Sequence, residues 1–565
     1  MKVKYIIYSI LPFLLFLYAF VVYKTDFDGA DEPIYSSYTA SIVEDGDLNV
    51  INQANFMSSQ PRISKTYNMP DFHNHGGVIS WAPFYIYAKS IYFIAKKFNL
   101  KSLTSIELDK LVRCAMSFST VVFSFLASLL TYFFCRVFFS NKLSIWSTVI
   151  IFFGTTFFYY TVYEAGNAQM VASLLSIISI WFCSSAINMK RLHWVFYGLF
   201  FSICMAVKID LWFQIFFVFF LFVSLLTFKQ TNWKNGVYFI IGLLPGITLK
   251  IINDYIKYGT LHIGELHLLN FRDFYFFDQL FSSYRGFFFT SPIFYICLLG
   301  LIFSIINLTR NIKTRNERKM QDLFFFILSL YVLIKVFILS YRYAWGGGTP
   351  GARILSTEFP IFVLLFARAF QGQKRYIRYF LAFISIFFIL WNFIIISEYI
   401  AQLDLNYVRG FPKLAVRVKT LQYIFSPLFY IKDLDLKLRS CLPLLLATFV
   451  VTFYIIKRFA SPISPQFWYS KSHKQTPFRT YIIFTIYLFT AYTIVTLLNI
   501  YNNPRNAERL KQEGFFKNVE LLTPLEFEKK ENAGSLDEMI IYYELKGNMD
   551  KVDKIKRMKK KLYNE

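Results

Sequence analysis

About thirteen stretches of this chain are apolar enough and long enough to lie in the ~30 Å hydrocarbon core of a bilayer, which a helix crosses in ~20 residues. They are residues 5 to 23, 112 to 135, 143 to 162, 168 to 187, 194 to 207, 211 to 228, 235 to 252, 289 to 308, 323 to 340, 354 to 367, 379 to 398, 441 to 456 and 480 to 499. In lipid every backbone N–H and C=O must find its partner within the protein, so runs of this kind fold as helices. The expected fold class is an all-α polytopic integral membrane protein. Composition agrees, with 56% hydrophobic and 21% aromatic residues in 565.

Lysine and arginine asymmetry in the short loops gives the expected orientation. With the N-terminus cytoplasmic, the inside segments are 1 to 4, 136 to 142, 190 to 193, 229 to 234, 310 to 319, 368 to 378 and 457 to 479. Together these hold 22 Lys/Arg against one acid, Glu317. The net charge of +25 is mostly accounted for by these loops, so it argues for no nucleic-acid partner. Residues 1 to 23 read as an uncleaved signal anchor, with a basic start and a long apolar core. The six cysteines fall inside or at the ends of expected spans, which points to packing and away from a disulfide framework.

Three non-spanning parts remain. The first external loop, 24 to 111, is long enough for interfacial helices, and Trp81 to Lys97 is aromatic and amphipathic. A second loop, 253 to 288, is aromatic. A third, 400 to 440, alternates bases with apolar residues and reads as interfacial. Residues 500 to 565 read as a polar external tail whose KIKRMKKK end is a solvated helix face or a contact for anionic headgroups.

The chemistry-bearing residues gather at one end of the threaded helices. Just after the first run come Asp28, Asp31 and Glu32, followed by Pro33 and Tyr35. A carboxylate at a membrane face can act as a general base toward an acceptor hydroxyl; acids at this position also cap helices. Tyr341 to Arg353 places Arg342, Trp345 and Arg353 around four glycines. Glycines let a backbone approach a ligand, and arginines chelate phosphate oxygens. Arg285 precedes the apolar run at 289, where it suits an anionic headgroup, a leaving group or a topological anchor. Lys208 and Asp210 in the turn after 207 read as a self-neutralising pair or a polar contact. Glu164 and Asn167 read equally as sugar contacts or as helix caps. His73, His75 and Asp71 raise a divalent metal, but their spacing matches no zinc pattern, so no cofactor is assigned and metal remains a minor alternative. No Walker loop, HExxH, GxSxG or GxGxxG is present.

Asp31-Glu32-Pro-Ile-Tyr35 after a first span, a long external loop and many further spans resemble the GT-C polyprenyl-phosphate-dependent glycosyltransferases. The similarity is to lipid A aminoarabinose transferases and protein O-mannosyltransferases, and closest to uncharacterised bacterial members. Arg113 matches the family's arginine at the start of the second span. Asn253 to Gly259 with Tyr258, Arg285-Gly286 with Ser291-Pro292, and Trp345-Gly-Gly with Gly351-Ala-Arg353 look like recurring blocks. The family's Lys-Pro-Pro is replaced here by Ser-Trp-Ala-Pro near Trp81, with Lys89 a substitute phosphate partner.

The resemblance implies a catalytic module over 1–400, an external amphipathic loop with the last spans over 401–499, and the tail 500–565. It implies an enzyme of the bacterial plasma membrane whose active site and tail are external. A sugar would move with inversion from a polyprenyl-phosphate donor to a lipid, glycan or protein acceptor hydroxyl. Asp31 is then the base, and Asp28 or Glu32 would tune it or orient the acceptor. Arg113, Glu164, Asn167, Lys208, Tyr258, Arg285, Arg342, Trp345 and Arg353 would hold substrate. Two alternatives stay open, a transporter or flippase of lipid-linked saccharides and a ligase that moves whole glycans.

Overall fold

The computed structural model describes residues 13–25, 27, 31–51, 53, 62–63, 74–186, 191–227, 231–259, 274–282, 286–311, 317–341, 353–400, 431, 433–459, 478–512, 520–521, 540 and 549–563. Among the described residues the regular structure is helical, apart from a two-residue parallel pairing of Arg62–Ile63 with Glu520–Leu521. Every apolar run named above lies in or overlaps a described helix.

Among the described residues, seven helices are long and apolar enough to cross a membrane. They are α4 (Leu108–Cys135), α9 (Gln214–Thr227, extended by the 3-10 turn Ile209–Leu211), α10 (Trp233–Tyr258), α12 (Glu317–Leu339), α14 (Arg375–Ile400), α15 (Leu434–Phe459) and α16 (Phe478–Gln512). The remaining runs form shorter helices: α1 (Phe13–Val22), α7 (Ala168–Ala186), α8 (Arg191–Val207), α11 (Phe294–Asn311) and the buried α13 (Phe359–Phe370).

The run 143 to 162 is two helices, α5 (Asn141–Gly154) and α6 (Thr156–Val162), bent by 73°. If that pair spans as one unit, the count of candidate spans rises to eight, against about thirteen from hydropathy. The break is satisfied internally. Asn392 of α14 donates to the Phe153 and Thr155 carbonyls at 2.8 and 3.0 Å, and the Thr155 hydroxyl accepts from the Phe157 N–H. Such a break survives in an apolar bundle only when neighbours take up the freed backbone groups.

Small residues set the closest packing. A side chain at Gly198 of α8 would strike the Phe239 carbonyl of α10, and one at Gly242 of α10 would strike the Val195 carbonyl of α8. Gly242 and Gly246 are four apart on one face, so the two backbones meet along a small-residue seam. The outward faces are apolar instead: Ile240 and Leu244 of α10 and Phe383 of α14 are more than half exposed. A band of this kind would aggregate in water and is matched to lipid, which makes this a membrane-embedded protein.

Two surface helices cover one end of the bundle, α2 (Glu32–Glu44) and α3 (Val78–Lys97). Lys89 of α3, the substitute phosphate partner expected from sequence, pairs with Glu44 of α2 at 2.8 Å, and the Tyr85 hydroxyl donates to the same carboxylate at 2.5 Å. The boundary expected at 499/500 falls inside α16, whose last turns continue past the apolar span.

Candidate active site at one end of the bundle

Asp31 occupies the N-cap position of α2, but its side chain makes no capping hydrogen bond. The carboxylate instead forms an ion pair with Arg353 at the start of the 3-10 helix Arg353–Glu358. Pro33 in the first turn of α2 fixes the helix entry and leaves the Asp31 side chain to tertiary contacts.

Gln169, on the first turn of α7, joins the cations. Its amide satisfies its neighbours with the oxygen facing Lys208 Nζ at 3.2 Å and Arg353 Nε at 3.1 Å, and the nitrogen donating to Ser356 Oγ at 3.0 Å. Lys208 breaks the chain between α8 and the turn Ile209–Leu211 with an extended backbone, φ −154° and ψ 138°. Its ammonium lies 3.9 Å from Asp210, and both side chains are buried. Lys208 and Arg353 therefore converge on one neutral oxygen. That is a place where a tetrahedral oxyanion could take over from the amide.

Glu32 is buried, 1% exposed, against the turn between α6 and α7. Gly166 in that turn has φ +106°, and a Cβ there would sit 3.3 Å from Glu32 Cγ, so only glycine serves. Glu164 accepts from the Tyr159 hydroxyl at 3.1 Å and the Asn167 amide at 3.4 Å. Asn167 Oδ1 accepts from the Gln169 N–H at 3.1 Å, which caps α7 and aims Gln169 at the cations. The capping alternative for Asn167 thus has a visible partner.

Two other expected site residues, Arg113 and Tyr258, have partners outside this cluster. Arg113 pairs with Asp109 one turn earlier on α4 and is partly exposed. Tyr258 is buried at the end of α10, its ring 5.2 Å from Lys257 Nζ, and that ammonium also sits 4.9 Å from the Tyr38 ring of α2. Asp28, Arg285, Arg342 and Trp345 lie outside the described residues, as do Asp71 and His73. His75 is buried with Nε2 3.3 Å from the Tyr492 hydroxyl of α16. Among the described residues no group of three His, Cys, Asp or Glu could hold a metal ion.

Sequence reading missed Gln169, Ser356 and, on the bundle side of the same 3-10 helix, Glu358 with Lys335 and Tyr331. Lys335 carried the clearest signal: it is the one charge within the apolar run 323 to 340, and ionisable groups inside a span are rare and functional. No protein-family model, no curated protein and no solved structure matches this chain.

Proposed function

We propose that this protein is a membrane glycosyltransferase that moves a sugar from a polyprenyl-phosphate donor to an acceptor hydroxyl at the end of the bundle that carries Asp31. The observation that carries the reading is the Asp31–Arg353 pair with Lys208 and Arg353 converging on the Gln169 oxygen. The resemblance of Asp31-Glu32 and its ordered blocks to GT-C enzymes supports the same assignment.

In this reading the donor phosphate displaces the Gln169 oxygen and draws Arg353 away from Asp31. Arg353 and Lys208 then stabilise charge on the departing lipid phosphate, and the released Asp31 carboxylate takes the acceptor proton. The acceptor oxygen bonds the anomeric carbon as the bond to phosphate oxygen breaks, inverting the centre. Coupling base release to donor binding keeps the base occupied in the empty enzyme. The exposed apolar helix faces leave the prenyl chain in the bilayer, and the site faces the outside if the basic loops are cytoplasmic.

The broken pair α5–α6 and the fully buried Lys335–Glu358 pair favour a second reading, a transporter of lipid-linked saccharides, because transporters use interrupted helices and intramembrane charges. One experiment separates them. A deletion strain is complemented with wild-type or Asp31→Asn protein at matched expression, and surface glycans and glycolipids are weighed by mass spectrometry. Transfer predicts a discrete sugar mass restored by wild type alone; equal rescue by both would move the assignment to transport.

A further inference from the structure

Arg353 opens the 3-10 helix whose last residue is Glu358, and the two ends of that short element meet very different surroundings. Arg353 faces Asp31, while Glu358 points into the bundle and is fully buried, 0% exposed. Its Oε1 accepts from Lys335 Nζ at 2.7 Å, the Tyr331 hydroxyl at 2.7 Å and the Thr357 hydroxyl at 3.1 Å. Lys335 is also 0% exposed and donates to Thr357 Oγ1 at 2.9 Å. Tyr331 and Lys335 are four apart on α12, so one helix face presents both donors.

An ion pair removed from solvent in an apolar bundle is a poor source of stability, because desolvation offsets the attraction and apolar residues of similar size often do as well. It is good at fixing geometry, since each partner is strongly penalised for any other placement. Glu358 can satisfy its three donors in one position only. That position fixes the end of a six-residue helix, and Ser356 on the same helix meets Gln169 on its other side. A 3-10 helix of this length has few internal hydrogen bonds to hold its own orientation.

We infer that Lys335 and Glu358 are positioning residues, which pin the 3-10 helix to α12 and so aim Arg353 at Asp31. The inference rests on the reading of that site given above, and it deepens it by naming what orients the phosphate-binding arginine.

The test uses full-length protein in detergent micelles. Hydrogen–deuterium exchange is followed at residues 353–358 and across α7 and α8, and the same variants are tested for the restored sugar mass in the complemented strain. Lys335→Met is expected to speed exchange at 353–358 by about tenfold with α7 and α8 unchanged, and to abolish the sugar mass. Lys335→Arg, which keeps a cation, is expected to restore both. Where Lys335→Met does not fold, Glu358→Gln and the apolar double variant Lys335→Met/Glu358→Met replace it, the latter removing both charges together. The double variant is expected to fold and still exchange fast at 353–358. Wild-type protection at 353–358 in the Lys335→Met or the double variant overturns the inference. If wild type itself restores no sugar mass, the glycosyltransferase reading fails while the exchange comparison still decides whether the pair positions this helix.

Discussion

At Asp31 the backbone and the side chain do different jobs: the residue sits where a helix cap belongs, yet its carboxylate leaves the helix end and meets a guanidinium more than 300 positions later. Sequence alone shows Asp31 before Pro33 and Arg353 after a glycine-rich turn, and both were legible as chemistry. Their partnership was not, because it depends on how the 3-10 helix docks. Gln169 was invisible for a similar reason: a neutral amide in the first turn of an apolar helix carries no signal until two cations are seen to share its oxygen. That sharing makes a prediction. Gln169→Glu places a carboxylate between Lys208 and Arg353, which satisfies both with charge-assisted hydrogen bonds and competes with any incoming phosphate. Donor binding is expected to weaken by roughly tenfold or more with thermal stability held or raised. Equilibrium binding of a polyprenyl phosphate, set beside a melting curve, checks both halves; unchanged binding would remove the amide oxygen from the phosphate site.

At the scale of elements, the outer turns of α16 are a clamp on the loop that follows α2. Thr496 and Tyr492 face Asn253 of α10, and Asn499 donates to Asn253 at 3.0 Å while accepting from the Leu48 N–H at 2.9 Å. Asn502 reaches the Gly46 carbonyl, and Asn506 reaches the Asp45 carbonyl and the Asp47 carboxylate at 2.8 Å. Steps of three and four keep these groups on one helix face. Hydropathy ended the helix at 499 because it weighs the asparagines as a polar tail, although their helical spacing was there to be read. Burial pushes the Asp47 carboxyl pKa up, against hydrogen bonds from Ser41, Asn506 and Asn49 that lower it. A raised folded pKa means the fold binds the proton more tightly than the unfolded chain does. The clamp's contribution is therefore full at low pH and falls as pH rises from the free value of 3.8 through the raised one. Asp47→Asn, with the Asn506 amide rotated to accept, is expected to flatten that decline. Melting temperatures of wild type and variant across about pH 4 to 7 read it directly, and parallel curves would show that Asp47 does not titrate in the fold.

For the whole molecule, the position of the helices was legible because bilayer thickness imposes run length, whereas the bend between α5 and α6 was not. It lies inside one apolar run, at Gly154-Thr155-Thr156, and its backbone partner is Asn392, far along the chain, which donates to the Phe153 and Thr155 carbonyls. Buried polar atoms that answer each other across the bundle leave no trace in local composition. The same holds for the seam between α8 and α10, where Gly198 and Gly242 are points of backbone contact that no local pattern announces. Chain direction, by contrast, is an expectation drawn from the loops. Asp31, Arg353, Lys208 and Glu164 all fall at the end opposite Lys234, at the start of α10, while Glu508 projects beyond the span of α16 on the Asp31 side. The bias of Lys and Arg toward the Lys234 end predicts that it is cytoplasmic and that the candidate site opens outward. Both Lys234 and Glu508 are exposed, and all six native cysteines are buried, so single introduced cysteines report without background. With a membrane-impermeant maleimide on intact cells, Glu508→Cys is expected to label at once and Lys234→Cys only after lysis. The reverse pattern would place Asp31 on the cytoplasmic face. A sugar donor there need not be lipid-linked, since nucleotide sugars are available on that side, and the polyprenyl-phosphate assignment would lose its physical reason.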